Sequence, residues 1–211
     1  MNILGRLLPG MKRRTVEDML ADLGTVGIRL RPGIPVRALF AETSQEEVAR
    51  QGHERLLIEM GGQLHDDEWD EGWHATWNPE WNEKRPSSDV WTFLHEAIEG
   101  PGSYAWIINH LSGLTGGEIV FDAIRDHVDV EARVAWAEVD RGGDTQHLTF
   151  EVYNDWADAR VLEWFQRTLT DAGSRRRFAR HDLGQDELVI CKTPEDIAAV
   201  NRVTGLQFTV V

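Results

Sequence analysis

The stretch ARVAWAEVDRGGDTQHLTFEVYN, residues 132–154, constrains the fold more than any other part of the chain. Apolar and polar residues alternate on both sides of RGGDT, which is the pattern of two strands joined by a glycine turn. A hairpin with one apolar face must bury that face against another layer. The next residues supply a cover: WADARVLEWFQRTLTDAG places Val161, Leu162, Phe165 and Leu169 at helical spacing. RRFARHD and ELVICK read as two more strands. Thr193-Pro194-Glu195-Asp196 caps a last helix that ends at Gly205, and LQFTVV closes the chain as a strand. This order predicts an α+β fold, with a mostly antiparallel sheet in the C-terminal half and helices packed on one face.

The N-terminal half reads as helix-rich. TVEDMLADLG opens on a capping-box spacing, Thr15 with Asp18, and closes at Gly24. VGIRLRPGIPVRALF is broken by prolines and reads as extended chain around a turn. Ser44 with Glu47 starts a helix through TSQEEVARQGHERLLIEMGG, weakened at Gly52. DVWTFLHEAIEG and SYAWIINHLSGL read as helices, with Trp106, Ile107 and His110 on one face of the second. TGGEIVFDAIRDHV leans toward helix on its Thr115–Glu118 spacing, although Ile119-Val120-Phe121 would also suit a strand. No repeat or linker interrupts this sequence. A tail over residues 1–14 and a single domain over 15–211 are therefore expected.

Charge bounds the function. The 211 residues carry 22 basic and 36 acidic side chains, a net charge of −14. That balance opposes general nucleic-acid binding, which needs a local excess of Lys and Arg, and it favours encounter with a basic partner. The lone Cys191 lies in the apolar run LVIC, where a packed thiol is expected, and no disulfide framework exists. MNILGRLLPGMKRR reverses the charge order of a signal peptide, and no apolar run approaches membrane-spanning length. A cytoplasmic protein, free of the membrane, is the expectation.

The segment HDDEWDEGWHATWNPEWNE, residues 65–83, concentrates the unusual chemistry. Trp69, Trp73, Trp77 and Trp81 recur every four residues among Asp66, Asp67, Glu68, Asp70, Glu71, Glu80 and Glu83. Trp rings anchor protein interfaces, and carboxylates around them select a basic partner. The competing expectation is that single rings plug the rim of the core. His65, Asp66, Asp67, Asp70 and His74 could bind a divalent metal, but the spacing of His65 and His74 matches no named metal motif. Nucleophile elbows, phosphate loops and dinucleotide fingerprints are missing, so the sequence assigns no catalytic residue and no cofactor. Arg175, Arg176, Arg177 and Arg180 form one basic island that could hold an anion or pair with acidic neighbours, and a solvated turn before a strand is the preferred reading. The histidines at 53, 95, 110, 127, 147 and 181 stand singly in unrelated elements.

LTGG at 114–117, RDHVDVEARVAW at 125–136, YNDW at 153–156 and HDLGQDELVICKTPED at 181–196 carry a likeness to a group of uncharacterised bacterial proteins. Small acidic α+β chains of this kind resemble immunity proteins, which block a toxin made by the same cell. The resemblance implies an immunity-type protein that blocks a toxin, and it carries over no active-site residue. Together with the acidic, Trp-bearing segment it leads to the expectation of a non-enzymatic inhibitor of a basic partner. An enzyme using the His65, Asp66, Asp67, His74 cluster is one alternative expectation. A structural or regulatory module that pairs with its own copy is another, so monomer and dimer both remain open.

Overall fold

The hairpin forms as its alternation requires. In the computed structural model, which describes residues 14–40, 43–62 and 85–211, β3 (Val134–Arg141) pairs antiparallel with β4 (Asp144–Phe150). Gly142 and Gly143 make the two-residue turn with φ of 59° and 89°, the left-handed conformation that matches strand twist. β2 (Ala123–Asp129) pairs with β3 and completes a three-stranded sheet. Its inner face buries Ile124, Val128, Ala135, Ala137, Val139 and Phe150.

A second sheet, of four strands, lies in the order β1 (Trp91–Leu94), β6 (Asp186–Lys192), β5 (Arg177–Asp182), β7 (Thr209–Val210). Every neighbouring pair is antiparallel. Side chains of β6 alternate between two apolar clusters because successive strand residues point to opposite faces. Val189 and Cys191 join Trp91, Phe93 and Phe178 against α4 (Ser103–Leu114), α5 (Arg160–Asp171) and the three-stranded sheet. Leu188 and Ile190 join Ala179 against α1 (Val16–Thr25), α2 (Gln45–Gln51), α3 (His53–Gly61) and α6 (Pro194–Thr204). The fold is α+β. Helices on one face describes the three-stranded sheet, whereas the four-stranded sheet is covered on both.

Capping chemistry sets the helix ends. Thr15 and Asp18 close a reciprocal capping box on α1, and Ser44 and Thr193 cap α2 and α6. The expected helix through residue 52 is two helices, since Gly52 adopts φ 86° between them. The proline-broken stretch forms a 3-10 turn at Val36–Phe40 and contributes no strand. LQFTVV pairs only at Thr209–Val210.

Two expected helices are strands. DVWTFLHEAIEG supplies β1, where Trp91 and Phe93 point into one cluster while Thr92 Oγ1 donates to the Ile58 carbonyl on the other side. Its apolar spacing fits either period, and the pairing partner β6 decides for the extended form. TGGEIVFDAIRDHV supplies β2. Thr115 does not open a helix there. Its hydroxyl donates to the Ser112 carbonyl and accepts from the Ile119 N–H, closing α4, and Gly116 and Gly117 then turn at positive φ.

Buried charge ties the halves together. Lys192 Nζ donates to the Gly27 carbonyl at 2.8 Å and faces Asp89 at 3.6 Å. Burial lowers its pKa, and Asp89 pulls it back. No helix among the described residues is long and apolar enough to cross a membrane.

Candidate functional site

The face of the four-stranded sheet that carries Val189 and Cys191 also carries Glu187, one step beyond the apolar cluster. Glu187 pairs across the ladder with Phe93 on one side and Asp182 on the other. Arg180, opposite Val189, and Asp182 continue that face from β5. Past the last apolar residue the sheet therefore turns polar, and a groove of about 740 Å3 opens there.

A loop walls the groove. After β4, Asp158 accepts hydrogen bonds from the Glu151 and Arg160 N–H groups, while its own N–H donates to the Tyr104 hydroxyl. Within the loop the Trp156 N–H donates to the Tyr153 carbonyl across Asn154, which adopts φ 53°. Asparagine tolerates this left-handed turn better than most residues. The Ile98 N–H donates to the Asp155 carbonyl, and the Ala157 N–H to the His95 carbonyl, fastening the loop beside the end of β1. Trp156 consequently stacks on His95, with ring centroids 5.9 Å apart and planes 10° from parallel. Tyr153 stands 74% exposed and Trp156 37% exposed, and Leu94, next to His95 in the chain, is also exposed.

Glu187 is only 4% exposed. His95 Nε2 lies 3.7 Å and Arg180 Nη1 3.6 Å from its Oε2, both longer than a hydrogen bond. Burial pushes the Glu187 carboxyl above the usual carboxylate range, against the pull of His95 and Arg180, and Asp182 adds to the rise. On the opposite flank His181 Nε2 lies 3.1 Å from a Glu54 carboxylate oxygen, and Nδ1 lies 3.3 Å from the Gln207 carbonyl oxygen. The groove thus combines an aromatic wall, a buried carboxylate with incomplete partners, and one half-exposed guanidinium.

The residues expected from sequence to bind a partner lie elsewhere in the chain. Asp66, Asp67, Glu68, Trp69, Asp70, Glu71, Trp73, Trp77, Glu80 and Trp81 fall outside the described residues, as do His65, His74 and Glu83. Among the described residues no group of three or more His, Cys, Asp or Glu side chains is arranged to hold a metal ion. Cys191 is buried, with its thiol pushed up to about 12 by burial, so it packs as expected. The basic island divides: Arg175 pairs with Glu195, Arg176 with Glu118 and the Cys191 carbonyl, and Arg180 with Glu187.

His95, Trp156, Arg180 and Glu187 escape a reading of the sequence alone. One signal was present: in DELVICK the alternation that sends Val189 and Cys191 inward also sends Glu187 inward. An acid at an inward position needs a partner or a function. Comparison of the chain with protein-family profiles, curated proteins and solved structures found no match.

Proposed function

We propose that the protein is a cytoplasmic, non-enzymatic binding protein of immunity or inhibitor type that covers a basic surface on a protein partner. The observation that carries this reading is the exposed pair Tyr153 and Trp156, held on a tight turn beside a groove lined by Glu187 and Asp182. Tyr and Trp dominate binding hot spots because they bury large area at little entropic cost. Carboxylates beside them favour a basic partner and repel an acidic one. A net charge of −14 steers the same encounter over longer range. The likeness to immunity proteins supports a protein toxin as the partner, and the net charge supports a basic surface on it.

Capture of partners from the native host on the immobilised protein, at low and high salt, tests the reading. A stoichiometric basic protein should be retained at low salt and weakened at high salt. Trp156→Ala should weaken its affinity by at least about 2 kcal/mol if Trp156 is an anchor. Retention that ignores both salt and Trp156→Ala would count against this surface.

A second reading rests on His95 and Glu187 lying side by side in an open groove, a pairing able to move protons. It requires a turnover that Glu187→Gln abolishes while the fold persists.

A further inference from the structure

The groove has a shape and charge that select one kind of side chain. Its floor is the Glu187 carboxylate, which His95 Nε2 at 3.7 Å and Arg180 Nη1 at 3.6 Å both approach at the same atom, Oε2. Its wall is a flat indole backed by a parallel imidazole. Asp182 pairs beside Glu187 and also lines the groove. Among the described residues the lining sets the carboxylates of Glu187 and Asp182 beside one arginine, Arg180, and the imidazoles of His95 and His181.

We infer that this groove is the seat for an arginine side chain of the partner, its guanidinium lying flat on Trp156 and forked onto Glu187. The inference rests on the binding-protein reading above and names the group that reading would engage. A guanidinium is planar, stacks on indole faces, and presents parallel N–H donors that match both oxygens of a carboxylate at once. An ammonium would satisfy the charge but leave the flat wall unused. Arg180, about half exposed, approaches Glu187 at Oε2 alone, at 3.6 Å. Burial of Glu187, which disfavours its charge in the free protein, makes each added donor count for more.

The test uses the full chain and three small probes: N-acetyl-arginine amide, its uncharged isostere N-acetyl-citrulline amide, and N-acetyl-lysine amide. Binding is followed by NMR at the Trp156 indole N–H, assigned with Trp156→Phe, and at the Gly184 amide in the groove lining. The arginine derivative should shift both signals and saturate in the millimolar range, citrulline should not, and lysine should bind more weakly. Glu187→Gln, which keeps the shape and removes the charge, should weaken arginine binding at least tenfold. Should that variant fail to fold, Trp156→Ala on the exposed loop should produce a comparable loss. Equal binding of citrulline, a lysine preference, no saturable shift, or indifference to both substitutions would each overturn the inference. A captured partner that loses affinity with Trp156→Ala yet keeps it with Glu187→Gln would sink the arginine seat and leave the binding-protein reading standing. Arginine binding through Glu187 with no partner captured would do the reverse.

Discussion

Glu187 and His110 are both ionisable groups taken out of water, and their surroundings give them opposite tasks. Glu187 lines a groove beside Arg180 and His95, where the binding reading gives it a ligand's donors to meet. His110 is fully buried between Trp91 and Trp106. Its Nδ1 donates to the Trp106 carbonyl, and its Nε2 is buried with no hydrogen-bond partner among the described residues. Burial, reinforced by Arg85, holds its pKa well below 6.5. The fold therefore requires the neutral ring: His110 contributes no loss above pH 6.5 and destabilises as pH falls through the unfolded value toward the folded one. His110→Phe should raise stability by about 1 kcal/mol at neutral pH, since it deletes an unpaired acceptor at nearly constant shape. The gain should grow below pH 6.5. Urea midpoints measured from pH 7.5 to 5 would check both parts, and a gain that shrinks with acid would refute the account.

At the scale of elements, close approach decides what the chain tolerates. α3 lies against β1 at Gly61, where an added Cβ would meet the Thr92 nitrogen at 2.6 Å and the Trp91 carbonyl carbon at 2.9 Å. Those are backbone atoms of a paired strand and cannot swing aside. Gly61→Ala should cost about 2–3 kcal/mol through displacement of α3. A lowered urea midpoint with an unchanged m-value would check it. α4 illustrates a different dependence between elements. Its N-cap is Gly102, which has no side chain, and the first turn is satisfied instead by Asp126 of β2, accepting from Gly102 and Ala105 N–H groups at 2.6 and 3.0 Å. Neither device can be read from local sequence, because each joins residues more than twenty positions apart.

At the scale of the molecule, both apolar clusters rest on one sheet. Leu188 and Val189 are neighbours in β6, yet they point into different clusters. Removing either should loosen the same strand ladder. Leu188→Ala and Val189→Ala should each destabilise the whole described fold, the former by about 3 kcal/mol. Far-UV circular dichroism and tryptophan fluorescence should then report one coincident transition in both variants. Separate transitions would mean that the two clusters unfold as independent units.

Local chemistry in the sequence determined the elements whose cause is local. Gly142-Gly143 fixed the hairpin, Thr15, Ser44 and Thr193 fixed three helix starts, and the amphipathic stripe of α5 fixed its apolar face. The alternation in ELVICK marked β6, and net charge determined the sign of a protein partner under the binding reading. Tertiary structure alone decided β1 and β2, whose apolar spacing suits helix or strand until a pairing partner is present. It also decided the groove. His95, Trp156, Arg180 and Glu187 come from four separate segments, and only the register of β1, β5 and β6, with the turn at Asn154, brings their side chains together. Distance along the chain carries no record of such a meeting, since it is set by packing that buries both sheets at once.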